Sequence, residues 1–97
     1  MSKFGEIIQS NIPILIDFYS GDQDESLVLQ ILNDVAGGIG NQARVIKVEV
    51  EKNETLIKAL RVKYFPTYII YKDGDMKWRQ SGNLDAVELT RKLKEFV

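Results

Sequence analysis

Ile12-Pro13-Ile14-Leu15-Ile16-Asp17-Phe18-Tyr19 is a nearly continuous apolar run, rich in β-branched and aromatic residues and broken by one carboxylate. A strand that is apolar at both odd and even positions has no face to give to water, so it reads as the covered strand of a parallel, helix-flanked sheet. The chain has 97 residues, 44% of them apolar and 28% charged, which describes one globular domain over 1–97 with no room for a second core.

The rest of the chain supplies the covering elements. Leu27, Val28, Ile31, Leu32 and Val35 recur at helical spacing, and Gly37-Gly38 reads as a left-handed stop after them. Val45 to Val50 alternates as a strand from Ile46 onward, and Leu56, Ile57 and Leu60 mark a short helix. Thr67 to Tyr71 reads as a third strand. Asp73-Gly74 is the pair that tolerates positive φ at both centres of a type I′ turn, so a fourth, antiparallel strand is expected from Met76 to Gln80. Asp85-x-x-Glu88 is a capping-box variant before a final helix whose Val87, Leu89, Leu93 and Phe96 are available for burial. Phe4, Ile7 and Ile8 predict one more helix at the start. The expected order is α-β-α-β-α-β-β-α, with a right-handed first crossover.

Composition removes several functions. Lys plus Arg number 13 and Asp plus Glu 14, a formal charge of -1, so the chain lacks the electrostatic footprint of a nucleic-acid or anionic-membrane binder. Cysteine and histidine are both absent. That excludes disulfides, thiolate nucleophiles, zinc sites of the usual kind and imidazole acid–base chemistry by this chain. No cofactor is called for. MSKFGEIIQSN lacks the basic region, apolar core and cleavage site of a signal peptide, and the apolar runs are too short to span a bilayer, so a cytoplasmic location is the default expectation.

Five segments, in order, resemble the thioredoxin family. Ile14 to Tyr19 (ILIDFY) is similar to its first central strand with a buried aspartate, and Val45 to Asn53 (VIKVEVEKN) to the next strand and its exit. Phe65-Pro66-Thr67 resembles the cis-proline loop, Tyr71-Lys72-Asp73-Gly74 the hairpin, and Ser81-Gly82-Asn83-Leu84 the entry to the last helix. The resemblance implies a thioredoxin-like α/β fold with a four-stranded mixed sheet flanked by helices. About 16 residues precede Asp17, too few for the family's extra N-terminal strand and the helix after it, so that strand is expected to be missing.

One departure is chemical. Where the family carries Trp-Cys-Gly-Pro-Cys, this chain has Gly21-Asp22-Gln23-Asp24-Glu25-Ser26. Counting from Asp17 places the two cysteine positions at Gln23 and Ser26; counting back from Ile31 to Ala36 places them at Asp22 and Glu25. Neither register restores a thiol, and disulfide exchange requires one thiol to attack and another to resolve. The acids instead suit a helix start, with Asp22-x-x-Glu25 as a capping pattern. A metal is not expected, because three carboxylates in one turn lack the glycine-turned loop of a calcium hand. Ser26 has no histidine to activate it.

Asp17 is costly inside an apolar strand unless paired, and Lys47, at the corresponding place on the neighbouring strand, is its expected partner; the resemblance also offers a general base in search of a substrate. The resemblance further implies a cis bond before Pro66 and a partner's extended segment laid against Tyr64, Phe65, Pro66 and Thr67. Tyr19 and Trp78 are further aromatic candidates for contact. The function so implied is a redox-inactive module that binds a protein or extended peptide, or serves structurally. The alternative is an enzyme on the same scaffold that binds glutathione or another thiol cofactor near Pro66.

Overall fold

The computed structural model describes residues 2–97. Strand β1 (Ile14–Tyr19) is buried at every position, as an unbroken apolar run requires. It lies between β2 (Arg44–Glu49), to which it is parallel, and β3 (Thr67–Lys72), to which it is antiparallel; β4 (Asp75–Ser81) pairs antiparallel with β3. The sheet is therefore four-stranded and mixed, in the order β2-β1-β3-β4.

Alternation along β1 divides its side chains between two layers. Ile14, Ile16 and Phe18 join Ile69 and Tyr71 on the face packed by Phe4, Ile7 and Ile8 of α1 (Ser2–Ile8) and by Leu56 and Ile57 of α3 (Glu54–Leu60). Leu15 joins Tyr68 and Ile70 on the opposite face, against Val35 and Ile39 of α2 (Glu25–Ile39) and Leu89 and Leu93 of α4 (Ala86–Lys94). Asp17 belongs to this second face. Each large apolar side chain so buried contributes about 1.5–3 kcal/mol.

Punctuation explains most boundaries and corrects one. Asp73 (φ 55°) and Gly74 (φ 81°) both take the left-handed conformation that the tight hairpin needs, and their N–H groups donate to Ser10 and Ile8 carbonyls, tying the hairpin to the end of α1. The Asp85–Glu88 capping box is present, with Glu88 N donating to Asp85 Oδ1 at 2.8 Å. Gly37-Gly38, however, does not stop α2. The helix runs through both and ends at Gly40 (φ 61°): Ile39 still has a core site to fill, and Gly38 packs closely beside Thr90 of α4, where a Cβ would lie 3.2 Å from the Thr90 methyl. Val87 is also not on the buried side of α4: it is 65% exposed.

Candidate functional site

The chain leaves β1 at Tyr19 and turns through 20–24 into α2, and hydrogen bonds build that turn. Gln23 Oε1 accepts from Ser20 N at 2.8 Å, which closes the loop on itself. Asp24 is the helix N-cap: its Oδ1 accepts from Ser26 N at 3.0 Å, from Leu27 N at 3.4 Å and from the Ser26 hydroxyl at 2.9 Å. These bonds, the Ser26 hydroxyl first, hold the Asp24 carboxyl below its ordinary range.

The Asp22–Glu25 capping pattern is thus not used. Asp22 points to the Ser20 hydroxyl (3.1 Å), while Glu25 lies inside the first turn and reaches β2 instead. Replacing Asp24 with alanine lowers the melting temperature, whereas Asp22→Ala leaves it unchanged; thermal scans of the two variants check the assignment, and equal losses would contradict it.

Glu51 was not legible in the sequence as part of this site. From the short turn after β2 its carboxylate accepts from Gly21 N at 2.9 Å and from the Ser20 hydroxyl at 2.8 Å, so the loop is held from across the sheet end. The contact spans thirty residues and carries no local signal. The Gly21 bond is the main reason the Glu51 carboxyl sits below its usual range.

Lys47 does not pair with Asp17. The two are register partners on β1 and β2, yet the Lys47 ammonium extends towards the strand ends, to Glu25 Oε2 at 3.2 Å and the Tyr19 hydroxyl at 3.4 Å. A half-exposed ion pair keeps more of its hydration than a buried one would, which favours Glu25 over the enclosed Asp17. Tyr19 likewise is no contact residue: it is buried to 2% exposure and its hydroxyl donates to Glu25 at 3.2 Å. Trp78 of β4 half-buries against the α4 layer, with the Lys92 ammonium 5.7 Å from its ring.

Asp17 is left 2% exposed, and among the described residues its Oδ1 has no hydrogen-bond partner. Burial pushes its carboxyl up from 3.8 to about 7. It lines a pocket of about 60 Å³ with Gln23 and Asp24 of the loop, Leu27 of α2, Pro66 and Asn83. Tyr68, the antiparallel register partner of Asp17, lines it too, and burial raises its phenol to about 12.

The third segment of the site precedes β3. The Phe65–Pro66 peptide bond is cis. The Thr67 hydroxyl is fully buried, donates to the Tyr64 carbonyl and lies 2.7 Å from the Ser81 hydroxyl, while the Pro66 carbonyl accepts from Gly82 N at 2.9 Å. Phe65 packs on the core and also lines a second opening with Val50, Ile57, Glu51 and Glu54. Tyr64 stands out at 72% exposure. Asp17, the Gln23 turn and Pro66 therefore meet at one end of the sheet.

A four-stranded mixed sheet in this order, with a cis-proline loop facing the start of a long helix, defines an α/β domain of the thioredoxin-like fold. The sequence profile described as Thioredoxin matches residues 1–95, and the chain belongs to the thioredoxin family. Thioredoxin Y2, chloroplastic, of Arabidopsis thaliana is 30% identical over 98 residues, covering 99% of this chain and 59% of its own length. Thioredoxin Y, chloroplastic, of rice (Oryza sativa subsp. japonica) is also 30% identical, with 99% and 58% covered. The chain thus spans less than two thirds of these relatives.

Among solved structures, a mutant thioredoxin from Halobacterium salinarum superposes with a TM-score of 0.80 at 23% identity, covering 99% of this chain and 84% of that one. Chloroplastic thioredoxin z gives 0.81 at 23% identity, with 98% and 87% covered. Both show the fold. With no cysteine, this chain cannot carry out dithiol–disulfide exchange with its own residues. No helix among the described residues is long and apolar enough to cross a membrane.

Proposed function

We propose that this domain is a redox-inactive member of its family that binds an extended segment of a partner protein across the 20–27 and 64–67 loops. The observation that carries the reading is the exposure of two large apolar side chains at one sheet end, Tyr64 of the 64–67 loop at 72% and Leu27 of the first turn of α2 at 53%, beside a 20–24 turn that is heavily cross-bonded. An exposed aromatic on a rigid loop is a suitable anchor, since burying it orders little else. Pro66 and Thr67 hold the loop from beneath, and Asp22 to Ser26 form the opposing wall.

Glutathione or another thiol cofactor has less support. The pocket beside Pro66 is about 60 Å³, against the roughly 300 Å³ and more of a typical small-molecule site.

Cross-linking capture from the source cell tests the reading, with wild type compared against Tyr64→Ala. Phe65 packs on the core, so Tyr64 is the variant that leaves the fold untouched. The expected result is a partner retained by wild type and lost by Tyr64→Ala. A partner captured equally by both would remove the 64–67 loop from the reading.

A further inference from the structure

We propose that the partner segment carries a lysine, and that its ammonium enters the pocket between Gln23 and Pro66 to pair with the buried carboxyl of Asp17. This rests on the docking face proposed above and names the chemistry of its occupant.

Three observations meet at that pocket. Asp17 is 2% exposed and its Oδ1 has no partner among the described residues, which is costly for a buried polar atom. Among the described residues this is the one buried side-chain oxygen or nitrogen without a partner, and the residue borders an opening.

The surroundings are acidic, and among the described residues Asp22, Asp24 and Glu51 form no salt bridge. Asp24 and Glu51 accept from neutral donors only, backbone N–H groups and the hydroxyls of Ser26 and Ser20, while Asp22 lies beside the Ser20 hydroxyl, whose one proton goes to Glu51 in the shorter contact. Lys47 is taken up by Glu25, and Lys52 by Glu49. A cation approaching this end of the sheet therefore meets carboxylates that form no salt bridge among the described residues, which is the complementarity that steers charged partners.

The acceptor on offer favours an ammonium. One buried oxygen, Asp17 Oδ1, stands without a partner, and a single acceptor beside a pocket of about 60 Å³ suits the compact point charge of a lysine better than the planar fork of a guanidinium, which is best met by two acceptors. Leu27 lines the same pocket and is 53% exposed, so the aliphatic stem of a lysine can lie along it while the head goes inward.

The test titrates the full chain, followed by amide shifts at Gln23, Tyr64 and Asn83, with three acetylated and amidated pentapeptides. They share flanking valines and differ only at the centre: lysine, the uncharged isostere norleucine, or arginine. Wild type should bind the lysine peptide at least about tenfold more tightly than its norleucine twin, which corresponds to about 1.4 kcal/mol. The ratio should fall towards one in Asp17→Asn, and arginine should lie below lysine.

Equal affinity for lysine and norleucine, with both lost in Tyr64→Ala, would overturn the lysine inference and leave the docking face standing. A lysine preference that survives Asp17→Asn would also overturn it, by placing the charge readout on Asp22, Asp24 or Glu51. No binding by any peptide at millimolar concentration would overturn it as well, while the capture experiment with Tyr64→Ala decides the docking face independently.

Discussion

Between pH 4 and pH 8, wild-type stability falls by about 4 kcal/mol relative to the Asp17→Asn variant, which lacks the titrating group. The carboxyl titrates near 3.8 when unfolded and about 7 when buried, a gap of roughly three units at about 1.36 kcal/mol each. Because the folded value is the higher one, the folded state holds the proton more tightly. The contribution is therefore fully present below about pH 4 and is lost as pH rises to 7; above that, the fold carries a buried carboxylate.

Tyr68 on β3 and Asp24 at the helix cap border the group, and neither supplies a cation; Lys47 on β2 is turned to Glu25. Urea denaturation of both proteins at half-unit steps measures the difference. At pH 8 the asparagine variant should be the more stable protein, although its amide also lacks partners and takes back part of the gain. Parallel curves from pH 5 to pH 8 would mean that Asp17 is hydrated or paired in solution.

The second large effect lies in the layer that holds α4 to α2. Leu89 is fully buried between α4, α2 and the sheet, so Leu89→Ala should cost about 2–5 kcal/mol by losing transfer energy and leaving a cavity. Val87, two residues earlier on the same helix, is 65% exposed, and Val87→Ala should stay within about 0.5 kcal/mol. Denaturant midpoints at unchanged slope give both numbers. Similar losses at the two positions would mean that α4 is rotated about its axis.

Val87 also shows where sequence reading reaches its limit. Apolar character placed it on the buried side with Leu89 and Leu93, but 3.6-residue geometry allows only a stripe inward, and the stripe chosen follows Leu89 and Leu93. The elements and their order were legible because they rest on local signals: the run in β1, the Asp73-Gly74 turn, and the Asp85–Glu88 box. A glycine pair reads as a stop by propensity, whereas here Gly37 and Gly38 lie inside α2, which continues to seat Ile39 in the core.

The site was legible in its members and less so in their bonding. Asp17, Gln23 and Pro66 each stood out in the sequence, and they meet at one opening. The Asp17–Lys47 pair failed because strand register places backbones opposite each other without deciding where a long side chain ends. Lys47 had a better-hydrated carboxylate within reach at Glu25. Glu51 was invisible because its role depends on a turn across the sheet end from Gly21. Capping fell to Asp24 because the turn closed by Gln23 delays the start of the helix by two residues from the pattern read at Asp22.

That this domain works by contact at its sheet end is tested most directly by amide hydrogen exchange on the complex with a captured partner. Slowed exchange should concentrate at 20–27 and 63–67, with the outer side of α4 around Val87 unchanged. Protection confined to α4 and the exposed side of α2, with the two loops exchanging as in the free protein, would contradict the account.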